Sequence, residues 1–306
     1  MTDAIDTLAD SQTAAVAPTA APPVRPFYWS VRRELWEHHS LYIAPLIAGG
    51  VVFFGYLIGL TGLPMRARAV TEMNGTVHAA VLDQPYNIAA IAIMVTAFIV
   101  AIFYCLGALH NERRDRSILF WKSLPVSDLT TVAAKAAIPL VVLPAIAFAA
   151  IFAVQLCMLL LGTGALAAHG MDATALWAKE ASPQGWWVLL WGLATLSVWF
   201  APLYAWLILV SGWARKAPFL WAVLAPLGLS LAERITLGTS HLSSLLGSRL
   251  TGGFSQAFAQ GGDPLNGLPR PDPAAFVSAP AVWIGVIVAA AFLAAAVWLR
   301  RRREPV

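Results

Sequence analysis

The chain has 306 residues, 59% hydrophobic and 12% charged, with a formal net charge of +4. Soluble domains carry about a quarter charged residues, so this composition, with its positive mean hydropathy, excludes a water-exposed globular surface for most of the chain. Lipid is the expected solvent, and an all-α polytopic membrane protein is the expected fold class.

Residues 1–24 are rich in Ala, Thr and Pro and carry Asp3, Asp6 and Asp10, with no basic start and no apolar core. They are expected to form a disordered tail rather than a signal peptide. Residues 25–40 are expected to form an amphipathic interfacial helix that includes Arg32. Phe27, Val31 and Leu35 share one stripe, Trp29 and Trp36 stand beside it, and Arg33, Glu34 and Glu37 take the other side. Such helices lie in the headgroup layer, where tryptophan rings are favoured; a plain extension of the first span is the alternative.

A hydrocarbon core of about 30 Å requires about 20 apolar helical residues. Uncharged runs near that length fall at 41–63, 88–109, 136–161, 186–210 and 279–299. A sixth run, 217–232, is shorter and holds Pro218 and Pro226, so it reads as a short span or a re-entrant segment. Charge decides between them. With six spans, the two tails, the loop at 110–135 and the turn at Arg215 and Lys216 share one side and hold most of the basic residues, including Arg300, Arg301, Arg302 and Arg303. Arg66, Arg68, Lys179, Arg234, Arg249 and Arg270 fall on the other. The positive-inside rule then puts both termini in the cytoplasm.

Gly55 and Gly59 in the first span, and Gly285 and Ala289 in the last, are spaced for close helix packing, within the chain or between subunits. The long extracytoplasmic loop at 233–278 is expected to carry short interfacial helices, one near 242–250, and then a turn-rich run at 261–273. The six runs contain no Asp, Glu, Lys, Arg or His. Gln155 is their most polar interior residue and is expected to make an interhelical hydrogen bond; ion coupling within the spans is disfavoured. Cys105 and Cys157 read as small hydrophobes.

Phosphate-loop, H-E-x-x-H and G-x-S-x-G patterns do not occur, so no catalytic, cofactor-binding or metal-binding residue is assigned. Ser240, His241 and Ser244 read as solvated surface without a spaced acidic partner. The loop at 110–135 is the exception in a charge-poor chain. It combines Glu112, Arg113, Arg114, Asp115, Arg116 and Lys122 with Phe120, Trp121, Leu124 and Pro125. Glu112 and Arg116 are spaced to pair along a short helix, with the other charges turned to water or a partner. Pro125 ends that element, and Ser127 or Asp128 can cap the next helix, which runs through Lys135 into the third span. Arginine and aromatic side chains suit a protein interface; anchoring among anionic headgroups fits the same residue types equally well.

The segment ERRDRSILFWKSLPVSD at 112–128, preceded by an interfacial helix and a span, resembles the permease subunits of bacterial ABC type-2 transporters. AWLILVSGWARKAPF at 205–219 is similar to that family's short turn between the fourth and fifth spans. The resemblance covers most of 25–303. It implies six spans, an amphipathic helix before the first, a cytoplasmic coupling segment between the second and third, and small extracellular helices between the fifth and sixth. It also implies a dimer of two permeases, identical or different, bound to two separate ATP-binding subunits that hold ATP and Mg. The expected function is therefore a non-enzymatic permease subunit of an exporter in the bacterial inner membrane, in contact with lipid and not with nucleic acid. The alternative is a non-transporting membrane anchor or sensor that recruits a cytoplasmic partner through the same loop.

Overall fold

A computed structural model describes residues 25–72, 76–115, 126–174, 176–177, 182–259 and 270–302. The expected tail at 1–24, the loop residues 116–125 and most of the turn-rich run at 261–273 lie outside the described residues. The described residues are all-α apart from one antiparallel pair of two-residue strands, β1 (Phe258–Ala259) and β2 (Arg270–Pro271). The chain is built as a multi-pass membrane protein, with six helices long and apolar enough to cross a bilayer: Ser40–Ala67, Gln84–Arg114, Asp128–Ala168, Pro183–Trp213, Pro218–Leu237 and Pro280–Arg302.

In chain order, α1 (Pro26–Glu37) precedes the first span, α2 (Ser40–Gly59), and a short helix α3 (Leu63–Glu72) follows it. The second span is α4 (Thr76–Gly107), which breaks at Ala108 and Leu109 before α5 (His110–Arg114). The third begins as α6 (Asp128–Ala137), passes through a π-helical segment, Ile138–Val142, and continues as α7 (Leu143–Ala168). The fourth is α8 (Pro183–Trp213) and the fifth α9 (Pro218–Leu237). Short helices α10 (His241–Thr251), α11 (Gly253–Ala257) and α12 (Pro273–Ser278) lead to the last span, α13 (Pro280–Arg302).

Several local choices follow from single residues. Ser127 caps α6 by accepting a hydrogen bond from Thr130 N at 3.0 Å, as its residue type favours. Pro139 and Pro144 each lack the N–H that an α-helical ladder needs, and the register between them relaxes into the π segment. The fifth helix is longer than the uncharged run at 217–232 and reaches Leu237, about 30 Å in all. Glu233 does not end it, because its carboxylate turns to the next element and accepts from His241 N at 2.9 Å and Leu242 N at 2.8 Å, at the start of α10. Gly238, at φ 66°, then closes the helix in the left-handed conformation that glycine adopts without strain.

Tertiary packing divides the small-residue pairs. Ala289 meets Ala201 and Ala205 where α13 lies along α8, and Gly285 leaves the space that the Arg249 guanidinium of α10 occupies. Arg249 lies over the Trp199 ring, 4.3 Å from its centroid, and donates to the Ala281 carbonyl. It thereby fastens α10 to two spans. Gly55 and Gly59 have no neighbour among the described residues within 4 Å of where a side chain would stand. Among the first three spans, Gln155 Nε2 donates to Tyr86 O at 3.2 Å, and Tyr56 Oη donates to Met158 O at 3.0 Å. Gly162 makes room for that hydroxyl, since a Cβ there would stand 2.6 Å from it. Cys105 and Cys157 are free thiols, the first buried and the second exposed.

Gly162→Val is expected to displace the Tyr56 hydroxyl and cost about 1–3 kcal/mol, the usual penalty for overpacking, seen as a lowered unfolding midpoint in detergent. Gly55→Ala, with open space around it, should leave the midpoint unchanged.

Candidate functional site

One end of the bundle gathers the start of the first span, the end of the second, the start of the third and the end of the last. There the fold buries charge. Lys135 of α6 is 2% exposed and Glu34 of α1 is 1% exposed. Lys135 Nζ lies 2.8 Å from Glu34 Oε1 and 3.0 Å from Glu112 Oε1 of α5. Arg33 Nη2 reaches the same two carboxylates, at 2.8 Å and 3.3 Å. Arg300 of α13 donates from Nη1 to Glu112 Oε2 at 2.5 Å and from Nε to Asp128 Oδ1 at 2.9 Å. Tyr104 Oη completes the coordination by donating to Glu34 Oε2 at 2.8 Å. Three cations thus face three carboxylates, contributed by α1, α5, α6 and α13.

Burial acts on the Glu34 carboxyl first and by itself would raise its pKa. The Lys135 charge and hydrogen bond, followed by those of Arg33, overcome that effect and hold it at about 2. Arg33 is likewise raised above its ordinary value, because the surrounding carboxylates outweigh its burial. The Glu34 carboxylate therefore stays ionised across the physiological range. An ion removed from water at this depth is tolerable only with its partners in place.

A second set of contacts pins α5. The last turn of α8 leaves carbonyls without helical partners, as every helix C-terminus does, and cationic side chains are favoured there. Arg113 Nη1 donates to Gly212 O at 2.6 Å, and the His110 ring Nδ1 lies 3.2 Å from Ala214 O. Leu109 N, freed by the break after α4, donates to Ser211 Oγ at 3.2 Å. Gly212 permits this approach, since a Cβ there would stand 3.1 Å from the Leu109 side chain.

These contacts place two of the expected loop residues at the base of the loop. Glu112 is buried against Arg33, Lys135 and Arg300; Arg116, the partner its spacing offers, lies outside the described residues. Arg113 is buried too and caps α8. In α1 the side opposite the apolar stripe turns inward at Glu34, while Val31 and Leu35 rest against the core. The cause is geometric: Glu34 directly precedes Leu35 on the helix, and the Lys135 ammonium and Tyr104 hydroxyl that solvate it come from distant parts of the chain.

Other expected site residues are placed apart from the cluster. Arg114 and Asp115 are exposed and pair with each other at 3.1 Å. Phe120, Trp121, Lys122, Leu124 and Pro125 lie outside the described residues. Phe27, Trp29 and Trp36 are exposed on α1, and the Arg32 guanidinium stands over the Trp29 and Trp36 rings at 5.1 Å and 4.5 Å. No group of three or more His, Cys, Asp or Glu able to hold a metal ion is found among the described residues. Sequence reasoning did not single out Tyr104, Asp128, Lys135 or Arg300 as site residues. Lys135 carried a signal, being a lone lysine among alanines at the mouth of an apolar run, where burial demands an acid.

Comparison with family models, with curated proteins and with solved structures finds no match.

Removing one partner of a buried pair leaves an uncompensated charge, so Lys135→Met should destabilise the protein by about 3–5 kcal/mol. Adding Glu34→Leu to that variant should recover part of the loss, giving a positive coupling energy in a thermal-unfolding cycle. The pH dependence has a definite sign. Glu34 is depressed from its ordinary 4.5 to about 2, so its contribution is complete above pH 4.5 and is lost as the pH falls through 2. Acid unfolding of the wild type should therefore show a component between these values that is missing from Glu34→Gln.

Proposed function

We propose that the chain is the membrane-spanning permease subunit of an ATP-driven exporter of the ABC type-2 kind, working with a second permease and with separate ATP-binding subunits. On this reading it sits in the bacterial inner membrane with both ends in the cytoplasm, and α1 lies in the headgroup layer. Export then involves no covalent chemistry in this chain; ATP and Mg belong to the partner.

The observation that carries the proposal is the buried charge cluster, because it makes mechanical sense of the loop beside it. A partner that closes on ATP can move a permease only if it binds two conformations with different affinity. It also needs a stiff element to push on. Residues 112–115 lead into the loop and 126–128 lead out of it, and both flanks are tied to the cluster through Glu112 and Asp128. Force delivered to 116–125 would thus reach the helix before the first span and the second, third and last spans together. Within this reading, Arg114, Asp115, Arg116, Phe120, Trp121 and Lys122 are the contact residues, while Glu112 and Arg113 are positioning residues that hold the loop's base.

Charge reversal in the loop tests the assignment without touching the buried set. Arg116→Glu combined with Lys122→Glu should lower copurification of the ATP-binding partner and ATP-driven transport at least several-fold, while membrane insertion is retained. Unchanged copurification and transport would overturn the loop's role.

A further inference from the structure

Arg249 of α10 carries a charge that no described residue neutralises. Its guanidinium stands over the Trp199 ring, 4.3 Å from the centroid, and donates from Nη1 to Trp199 O at 3.4 Å and from Nη2 to Ala281 O. Trp199 Nε1 returns a bond to Arg249 O at 2.8 Å. Both acceptors are neutral carbonyls. A guanidinium offers about five N–H donors, so most of them stay open after these two bonds, and no carboxylate among the described residues pairs with it. The described acids on this stretch, Glu233 and Asp272, are engaged elsewhere: the first accepts from His241 N and Leu242 N, and the second caps α12 by accepting from Ala275 N at 2.9 Å.

Depth makes the open charge costly. At the helical rise, Trp199 precedes the end of α8 at Trp213 by about 21 Å, and Ala281 precedes the end of α13 at Arg302 by about 32 Å. A hydrocarbon core of about 30 Å, measured from the charge-cluster end, therefore reaches past Trp199 and up to Ala281. Snorkelling does not relieve the cost, because a snorkelling arginine extends its stem to water, whereas Arg249 is held against two spans by a ring and two carbonyls. A cation at such a depth requires an anion. The anion that a bilayer presents at this level is phosphate, whose oxygens match the guanidinium fork. Beneath it the surface is apolar and open: Ile284 and Val288 follow Ala281 at helical spacing on one stripe of α13, and both are exposed.

We propose that Arg249 binds the phosphate group of a phosphorylated amphiphile at the end of the bundle opposite the charge cluster, with the ligand's acyl chain lying along Ile284 and Val288. The site rests on the bundle alone and does not depend on the ATP-driven reading. Its occupant touches α10 and the last span together, at the point where Arg249 fastens the one to the other.

The full chain in lipid nanodiscs tests this with two photoactivatable probes of equal acyl chains, a diazirine phosphatidylglycerol and a diazirine galactolipid without phosphate. In the wild type, phosphatidylglycerol is expected to label α10 and the start of α13 about tenfold more than the galactolipid, the worth of one charge-assisted hydrogen bond. Arg249→Gln should abolish that preference. Because this variant also loosens α10, Leu245→Glu gives a second reading. It sets a carboxylate one helical turn before Arg249 on the same face and leaves the arginine's own contacts in place, so it should remove the preference, while Leu245→Gln should keep it. Excess inorganic phosphate separates the sources: competition with the phosphatidylglycerol label shows that the phosphate group suffices, and its absence shows that the acyl chain along Ile284 and Val288 is needed too. Equal labelling by both probes in the wild type, or a preference that survives either Arg249→Gln or Leu245→Glu, would overturn the site.

Discussion

Two carboxylates sharing one lysine hold this end of the molecule together. Glu34 and Glu112 both lie within 3.0 Å of Lys135 Nζ, and all three are largely out of water. None of them could be buried alone, so the positions of α1, α5 and α6 depend on one another. Arg300 extends the dependence to the last span through Glu112 and Asp128. Helices in lipid gain little from apolar contact with one another, since the surrounding tails are equally apolar. A charged knot at the bundle's end supplies what van der Waals packing alone gives only weakly: a fixed register between the helix before the first span and three of the spans.

The rest of that end is arranged around the knot. Arg113 and His110 use the open carbonyls at the end of α8, which adds the fourth span to the assembly. The fifth span joins through aromatic contacts, with Trp206 Nε1 donating to Ala222 O at 3.1 Å and Trp213 meeting Trp221 edge to face. Its remaining large side chains, such as Leu224 and Leu227, are exposed, as lipid solvent permits. A hierarchy results. Charge fixes the spans that flank the loop, carbonyl capping fixes the fourth, and aromatic contact holds the fifth.

Much of the fold was legible in the residue order because lipid imposes a plain rule on span length. The five uncharged runs and the shorter sixth each correspond to a helix, and Ser127 and Gln155 make the bonds their types suggest. The fifth helix was underestimated because charge was taken as an end signal, whereas Glu233 turns away to bond the start of α10. The cluster was less legible. Glu34 and Lys135 are 101 residues apart and Glu112 and Arg300 are 188 apart, so no local spacing connects them. Local spacing offered Glu112 only Arg116, four residues on. Gly285 and Gly55 sit in similar patterns, yet among the described residues only the first has a neighbour at its side-chain position, and that neighbour comes from α10.

The central claim is that α1 is held by the cluster and not by its apolar stripe alone. Hydrogen exchange of the α1 amides, compared between the wild-type chain and Lys135→Met in the same nanodiscs, addresses it most directly. Loss of about 3 kcal/mol of local stability would speed exchange of Val31 to Glu37 by about a hundredfold, with the amides of α7 and the middle of α8 unchanged. Equal protection of α1 in both proteins would contradict the claim and leave the apolar contacts of Val31 and Leu35 as its anchor.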